Sequence, residues 1–297
     1  MTGRHLTIKE EESVMRKDRG IRFLIPSLLG VGVFFIVPFG VVIYYAMVNN
    51  PIQREFVFLD NIVKILNNSA FRMAAKNTFT FSVTAVPLAV ILSLLLALAL
   101  DRKIPLRSQF RTCFLSPMMV PVASVILIFQ VLFHYNGAVN DWLSIFGVDK
   151  IDWFKSEYAM VVVVLLFLWK NLGYNMILFM AALGSMPKEM LEVAWLEGAS
   201  AFQTFRYIKL RYLSPTIMFV TLYSLINSFK IFREVHLLAG DYPFDTLYTL
   251  QHFMNNMFAK VDYQKLSAAA IIMSAVMIVI IGALMLIENH YGKDVEG

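Results

Sequence analysis

The chain of 297 residues is 58% hydrophobic, carries only 16% charged residues and has a mean hydropathy of +0.64. A soluble domain carries roughly 25% charged residues, so this composition excludes one and points to a lipid bilayer as the partner phase. The formal charge of +5 is spread over the flanks of apolar runs and not gathered into a patch, which excludes a nucleic-acid partner.

Residues 1–22 hold six Lys and Arg and read as a polar tail. The apolar run that follows, 23–48, has 26 residues, against roughly 7–15 for the apolar segment of a signal peptide, and is expected to stay as the first transmembrane helix. Uncharged runs at 77–100, 113–133 and 266–287 each reach the length of about 20 residues that a helix needs to cross a hydrocarbon core. Two more runs, 158–185 and 214–239, have that length but carry Lys170 in one and Lys230, Arg233 and Glu234 in the other. Both are expected to be helices, because lipid leaves open backbone without partners while a bundle interior tolerates ionisable groups. The prediction is an all-α, polytopic membrane bundle of six transmembrane helices.

Fifteen Lys and Arg fall in the tails and loops on the side of the N-terminus, against eight in the loops on the other side. The positive-inside rule then puts both termini in the cytoplasm. The expected organisation is a cytoplasmic tail (1–22), a first transmembrane helix (23–48), a five-helix core (70–289) with a cytoplasmic segment at 186–215, and a C-terminal cytoplasmic tail (290–297). Loop 135–157 faces outward, where Trp142 and Trp153 suit the depth of the membrane interface, and 49–76 and 240–265 are the other external connections. The lone Cys113 excludes an intrachain disulfide and reads as a small apolar filler.

Two polar stripes interrupt the apolar runs. Lys170, Asn171, Tyr174 and Asn175 share one face of the fourth span, and Tyr223, Asn227, Lys230 and Glu234 share one face of the fifth. Packing and solute contact stay open for either stripe. If a solute passes here, amides and phenols serve hydroxyl groups, and the rings of Trp169, Tyr174, Phe229 and Phe232 serve C–H faces. Lys230 and Glu234, four apart, can instead neutralise each other as a structural staple.

Between these spans lies "EVAWLEGASAFQTFRYIKLRYLSP", 192–215. Pro187 suits a helix start, Met190, Val193 and Ala194 recur at helical spacing, and Gly198 suits a helix end. Ser200 and Gln203 fit a capping box that opens a second helix bearing Phe202, Phe205, Ile208 and Tyr212. Arg206, Lys209 and Arg211 gather where cations meet the negative end of that helix. Periodicity alone leaves open whether this pair of helices lies on lipid or presents a face to a cytoplasmic partner.

The spacing resembles the EAA loop of ABC importer permeases. Glu192, Ala194, Gly198, Ala199, Phe205, Ile208, Leu210 and Pro215 stand at matching positions, with Val193, Glu197 and Arg211 as departures from the pattern. The stretches "LIPSLLGVGVFFIVPF", "FRTCFLSPMMVP" and "LWKNLGYNMILFMAALGSMPKEM" are similar to the carbohydrate branch, which serves maltose, glycerol-3-phosphate and related solutes.

That resemblance implies an integral permease subunit with the type I, methionine-importer-like core, set in a bacterial inner membrane. Glu192, Ala194, Glu197, Gly198, Ala199, Phe205 and Ile208 would then couple to a cytoplasmic ABC ATPase dimer that binds ATP and Mg. The same resemblance implies a second, non-identical permease and an extracellular or periplasmic solute-binding protein that delivers a carbohydrate, with an oligosaccharide favoured. Lys170, Asn171, Tyr174, Asn175, Tyr223, Asn227 and Lys230 are the candidate solute path. The chain has no G-x-x-x-x-G-K-[ST] with which to bind ATP itself, and no catalytic, cofactor or metal motif, so no enzyme activity is expected of it. The rival reading is an ion- or proton-coupled carrier with Lys170 and Glu234 as relay, which the absence of a clear internal repeat disfavours.

Overall fold

The structure, a computed structural model, describes residues 24–50, 52–101 and 105–291. The expected tails, apart from the last turn of the final helix, lie outside these residues. Every regular element among them is helical: α1 (Leu24–Met47), α2 (Asp60–Leu66), α3 (Ser69–Asp101), α4 (Arg107–Met119), α5 (Val122–Leu132), α6 (Ala138–Ser144) and α7 (Ala159–Ser185) come first. They are followed by α8 (Lys188–Leu196), a mixed helix α9 over 201–212, α10 (Ser214–Phe229), α11 (Phe232–Ala239), α12 (Leu250–Ala259) and α13 (Tyr263–Tyr291).

The chain divides into two units. One joins the described residues up to Ile65 to the stretch Asp262–Ile272. In it, α1 has no buried side chains through its apolar window, as a lipid-facing helix requires. Asn61 closes the turn after α1 by donating to the carbonyls of Ala46 and Val48, both at 2.9 Å.

The other unit runs from Leu66 to Val261 and resumes at Met273. Its centre is the pair α3 and α7. Ala74, Thr78, Ser82, Ala85, Ala89, Ser93 and Ala97 recur every three or four residues on α3 and are all buried. With lipid on the outside there is no hydrophobic gain from association, so small side chains that let backbones approach supply the attraction through dispersion contacts. Phe81 of α3 and Phe167 of α7 meet edge to face at 5.4 Å within this contact. Hydroxyl and amide groups add cross-helix bonds: Ser82 to Ser228 at 2.8 Å and Gln130 to the Leu238 carbonyl at 3.2 Å.

Gly173 explains how closely α7 approaches α4. A Cβ at this position would sit 1.8 Å from the Phe114 carbonyl oxygen, so no larger residue fits without moving a backbone.

Three expectations need correction. The run 113–133 is not one straight span: α4 and α5 meet at 101° across Val120 and Pro121. Val120 is extended, as the residue before a proline prefers, and Pro121 cannot continue the ladder. Five helices have the length and apolarity to cross a membrane, six if the bent pair counts as one. Trp153 is no interfacial anchor, being 9% exposed and donating from its indole N–H to Asn140 Oδ1 at 3.0 Å, while Trp142 is exposed. The stretch 240–265 is more than a surface connection. Leu250, His252, Phe253 and Asn256 of α12 are buried, and the Leu250 N–H donates to Thr78 of α3 at 2.9 Å.

Candidate functional site

Six of the seven residues expected along the solute path come together. Lys170, Asn171 and Tyr174 of α7, Tyr223 and Asn227 of α10, and Lys230 just beyond it line a cavity of about 510 Å³. The Tyr174 and Tyr223 rings lie 4.8 Å apart and form an apolar wall with hydroxyl tips. Asn227 donates to Asn171 Oδ1 at 3.1 Å, and Asn171 donates to the Phe167 carbonyl at 2.8 Å. This chain of bonds holds Asn171 in place and leaves the side-chain oxygen of Asn227, a residue of the cavity lining, free to accept.

Asn175 does not line the cavity. It is fully buried and donates to Ser224 Oγ at 2.9 Å, because α10 closes on α7 at that small residue. Of the four candidate rings, Tyr174 and Phe232 line the cavity, Trp169 packs beside Phe129, and Phe229 lies against an apolar cluster.

The Lys230–Glu234 staple is replaced by a different pair. The fifth span breaks at Lys230 and Ile231, where α10 ends and α11 begins, so four-residue spacing no longer places two side chains on one face. Glu234, with a side chain 6% exposed, pairs instead with Lys170 of α7. Arg233 lies 3.8 Å from the same carboxylate with a side chain 66% exposed. Lys230 is exposed and has no ion pair among the described residues.

Sequence reasoning did not assign Arg233 and Gln251 to the lining. Arg233 carried the one usable signal, a charge inside a span. Gln251 carried none, because α12 reaches the cavity only through the fold. Beside it, the His252 ring meets Phe232 at 4.6 Å, and Nδ1 lies 2.8 Å from Thr249 Oγ1. Burial, reinforced by the neighbouring His236 and opposed by Asp241, lowers the His252 pKa to about 4, so the ring is neutral. Among the described residues no three His, Cys, Asp or Glu gather in a metal-binding group.

The second feature is the helical pair α8–α9. Gly198 adopts φ +72°, and its N–H and that of Ala199 reach back to the carbonyls of Trp195 and Ala194 at 3.1 and 2.9 Å. This is a Schellman ending, where a residue with a side chain would be strained. Ser200 and Gln203 form the expected capping box, with bonds of 2.8 and 3.3 Å. Pro187 sits at the cap of α8 and not inside its first turn.

The middle of α9, Thr204–Lys209, is wound as a π-helix, which shifts the expected stripe: Phe205, Ile208 and Tyr212 are half-buried while Phe202 is 72% exposed. Two bonds tie α9 to the bundle. Lys209 reaches Asp101 at the end of α3 at 3.4 Å, and the Tyr212 hydroxyl donates to the Ser185 carbonyl at the end of α7 at 3.1 Å. Leu213, fully buried, packs with residues of both helices. Of the expected coupling residues, Ala194 is buried, Ala199 half-buried, and Glu192, Glu197 and Gly198 exposed. Ala194, Glu197, Gly198, Ala199 and Ile208 line one hollow of about 430 Å³ on this pair, rimmed by Val193 and Tyr207. Trp195 and Leu196, each 77% exposed, stand bare beside it.

A family model described as the binding-protein-dependent transport system inner membrane component matches residues 89–293. The permease protein of an arabinooligosaccharides transport system from Halalkalibacterium halodurans is 33% identical over 188 residues, which span 62% of this chain and 59% of that relative's length. The permease protein of a trehalose/maltose transport system from Thermococcus litoralis is 27% identical over 259 residues, 85% of this chain and 88% of the other. A chain of a bacterial alginate ABC transporter, solved in complex with an alginate pentasaccharide-bound periplasmic protein, superposes with a TM-score of 0.81 at 20% identity, covering 95% of this chain and 98% of that one.

Proposed function

This chain belongs to the binding-protein-dependent transport system inner membrane components, and from that premise we propose how its two sites divide the work. The chain is the permease subunit of an ABC importer that carries a carbohydrate, a transport component and not an enzyme. The cavity lined by Tyr174, Tyr223 and Asn227 receives the solute near mid-span. The α8–α9 knob faces the cytoplasm and docks through its bare Trp195, Leu196 and Tyr207 on an ATPase dimer. A second permease completes the path, and an external binding protein delivers the solute.

One observation carries this reading. The knob with the uncovered apolar tip is bonded through Lys209 and Tyr212 to the ends of α3 and α7, the helices at the centre of the bundle. Displacing the knob therefore moves the helix that holds Lys170, Asn171 and Tyr174. Packed elements respond as rigid bodies, so force applied by ATPase closure reaches the cavity.

The test is reconstitution of the complete importer in liposomes with a radiolabelled oligosaccharide inside the preferences of its binding protein. ATP inside the vesicle-facing ATPase compartment should drive uptake. Uptake that follows membrane potential and ignores ATP would overturn the reading in favour of an ion-coupled carrier.

A further inference from the structure

The charges around the cavity do not balance. Lys170, Lys230 and Arg233 face a single carboxylate, Glu234, which Lys170 already neutralises at closer range than Arg233. Lys230 has no ion pair or side-chain hydrogen bond among the described residues, and Arg233 holds only the long, exposed approach to Glu234. Both cations sit inside the 26-residue span Ser214–Ala239 and not at its flanks. Positive charge inside a span is costly and is found facing a partner or a water-filled cavity. A topological signal would place it in a loop, so the bias that orients the chain does not account for these two residues.

A neutral sugar gives no reason for that arrangement. Its hydroxyls and C–H faces are served by the Asn227 side-chain amide and the Tyr174–Tyr223 wall. An anionic group on the sugar does. A guanidinium beside an ammonium offers several donors to carboxylate or phosphate oxygens, and such charge-assisted bonds are about twice as strong as neutral ones. Building on the carbohydrate reading, we propose that the solute is an acidic saccharide whose carboxylate or phosphate group meets Lys230 and Arg233, while its ring lies against Tyr174 and Tyr223. Glu234, held by Lys170, is not available to repel it.

The experiment measures ATP-driven uptake by the complete importer in liposomes for three labelled probes: a uronate trisaccharide, the same trisaccharide with its carboxylates reduced to alcohols, and a neutral trisaccharide carrying one phosphate. Uptake of either acidic probe at least about tenfold above that of the reduced one supports the proposal, and which acid is favoured identifies the anion. Lys230→Gln and Arg233→Gln should each erase most of that preference, and Lys230→Arg should keep it, in complexes that assemble at wild-type yield. If the reduced probe enters as fast as the acids and neither Gln variant changes this, the anion site is overturned while carbohydrate import stands. If no probe enters or stimulates ATP hydrolysis, both readings fall. Should the Gln variants fail to assemble, the wild-type comparison of acidic and reduced probes still decides the matter.

Discussion

Lys170 of α7 is ion-paired with Glu234 of α11, joining the fourth span to the far half of a broken fifth span. Glu234 is almost fully enclosed, and Lys170 is the nearer of its two cations. Lys170→Ala should therefore destabilise the protein by about 3 kcal/mol, because an enclosed carboxylate loses its nearer cation. Lys170→Met with Glu234→Leu should recover most of the loss. Lys230→Gln should leave stability unchanged. Thermal unfolding in nanodiscs measures all three, and equal damage from Lys170→Ala and Lys230→Gln would show that the pair is not the tie described.

Gly198 tests the knob. The space around a Cβ there is open, so a substitution meets only the left-handed backbone, at a cost of about 1–2 kcal/mol. Gly198→Asp, which adds a charge beside the bare tip, and Glu192→Lys, which reverses one, should leave the permease folded and separate ATP hydrolysis from uptake. Trp195→Ala with Leu196→Ser should release the ATPase from the complex without lowering the stability of the permease. Size-exclusion and coupled hydrolysis–uptake assays read these outcomes, and wild-type coupling in all of them would remove the knob from the mechanism.

Gly173 is a packing prediction without a functional element. Gly173→Ala drives a methyl group into the Phe114 backbone, and the expected loss is about 1–3 kcal/mol with a matching fall in folded yield. Gly184, which has open space around it, should accept Ala with little effect. Comparable behaviour of the two variants would mean that α4 yields easily at this contact.

His252 predicts a pH dependence. Its folded pKa of about 4 lies below the ordinary 6.5, so between these values the unfolded chain takes up a proton that the folded one refuses. The contribution of this residue is complete above about pH 6.5, declines as pH falls toward 4, and is constant below that. Between pH 7 and pH 5 the expected loss is about 2 kcal/mol. His252→Asn should flatten this part of the stability profile, as read by chemical unfolding at both pH values. An unchanged slope would place the titration elsewhere.

Much of the molecule was legible because bilayer chemistry is local along the chain. Apolar runs of sufficient length mark the helices, and a charge inside two of them marks where a cavity lies. The capping box of Ser200 and Gln203 and the left-handed Gly198 are written in neighbouring residues, since caps and turns involve backbone groups only a few positions apart. Those features needed nothing from the rest of the chain.

Partner choice was different. Four-residue spacing assigns Glu234 to Lys230, but that assignment assumes an unbroken helix, and the break at Lys230 and Ile231 gives Glu234 to Lys170, 64 positions away. Hydropathy marks 113–133 as one span, yet the bend at Pro121 is set by backbone geometry that an average over residues does not register. Asn175 shares a stripe with Asn171 in sequence, and only the approach of Ser224 from α10 encloses it. Gln251 reaches the cavity because α12 is drawn into the bundle through Thr78. Sequence alone determined which segments are helices and where they cap, because those choices rest on side chains and backbone within one turn. Which polar groups meet was decided by tertiary structure, because ion pairs and amide bonds depend on distances between helices that no single segment encodes.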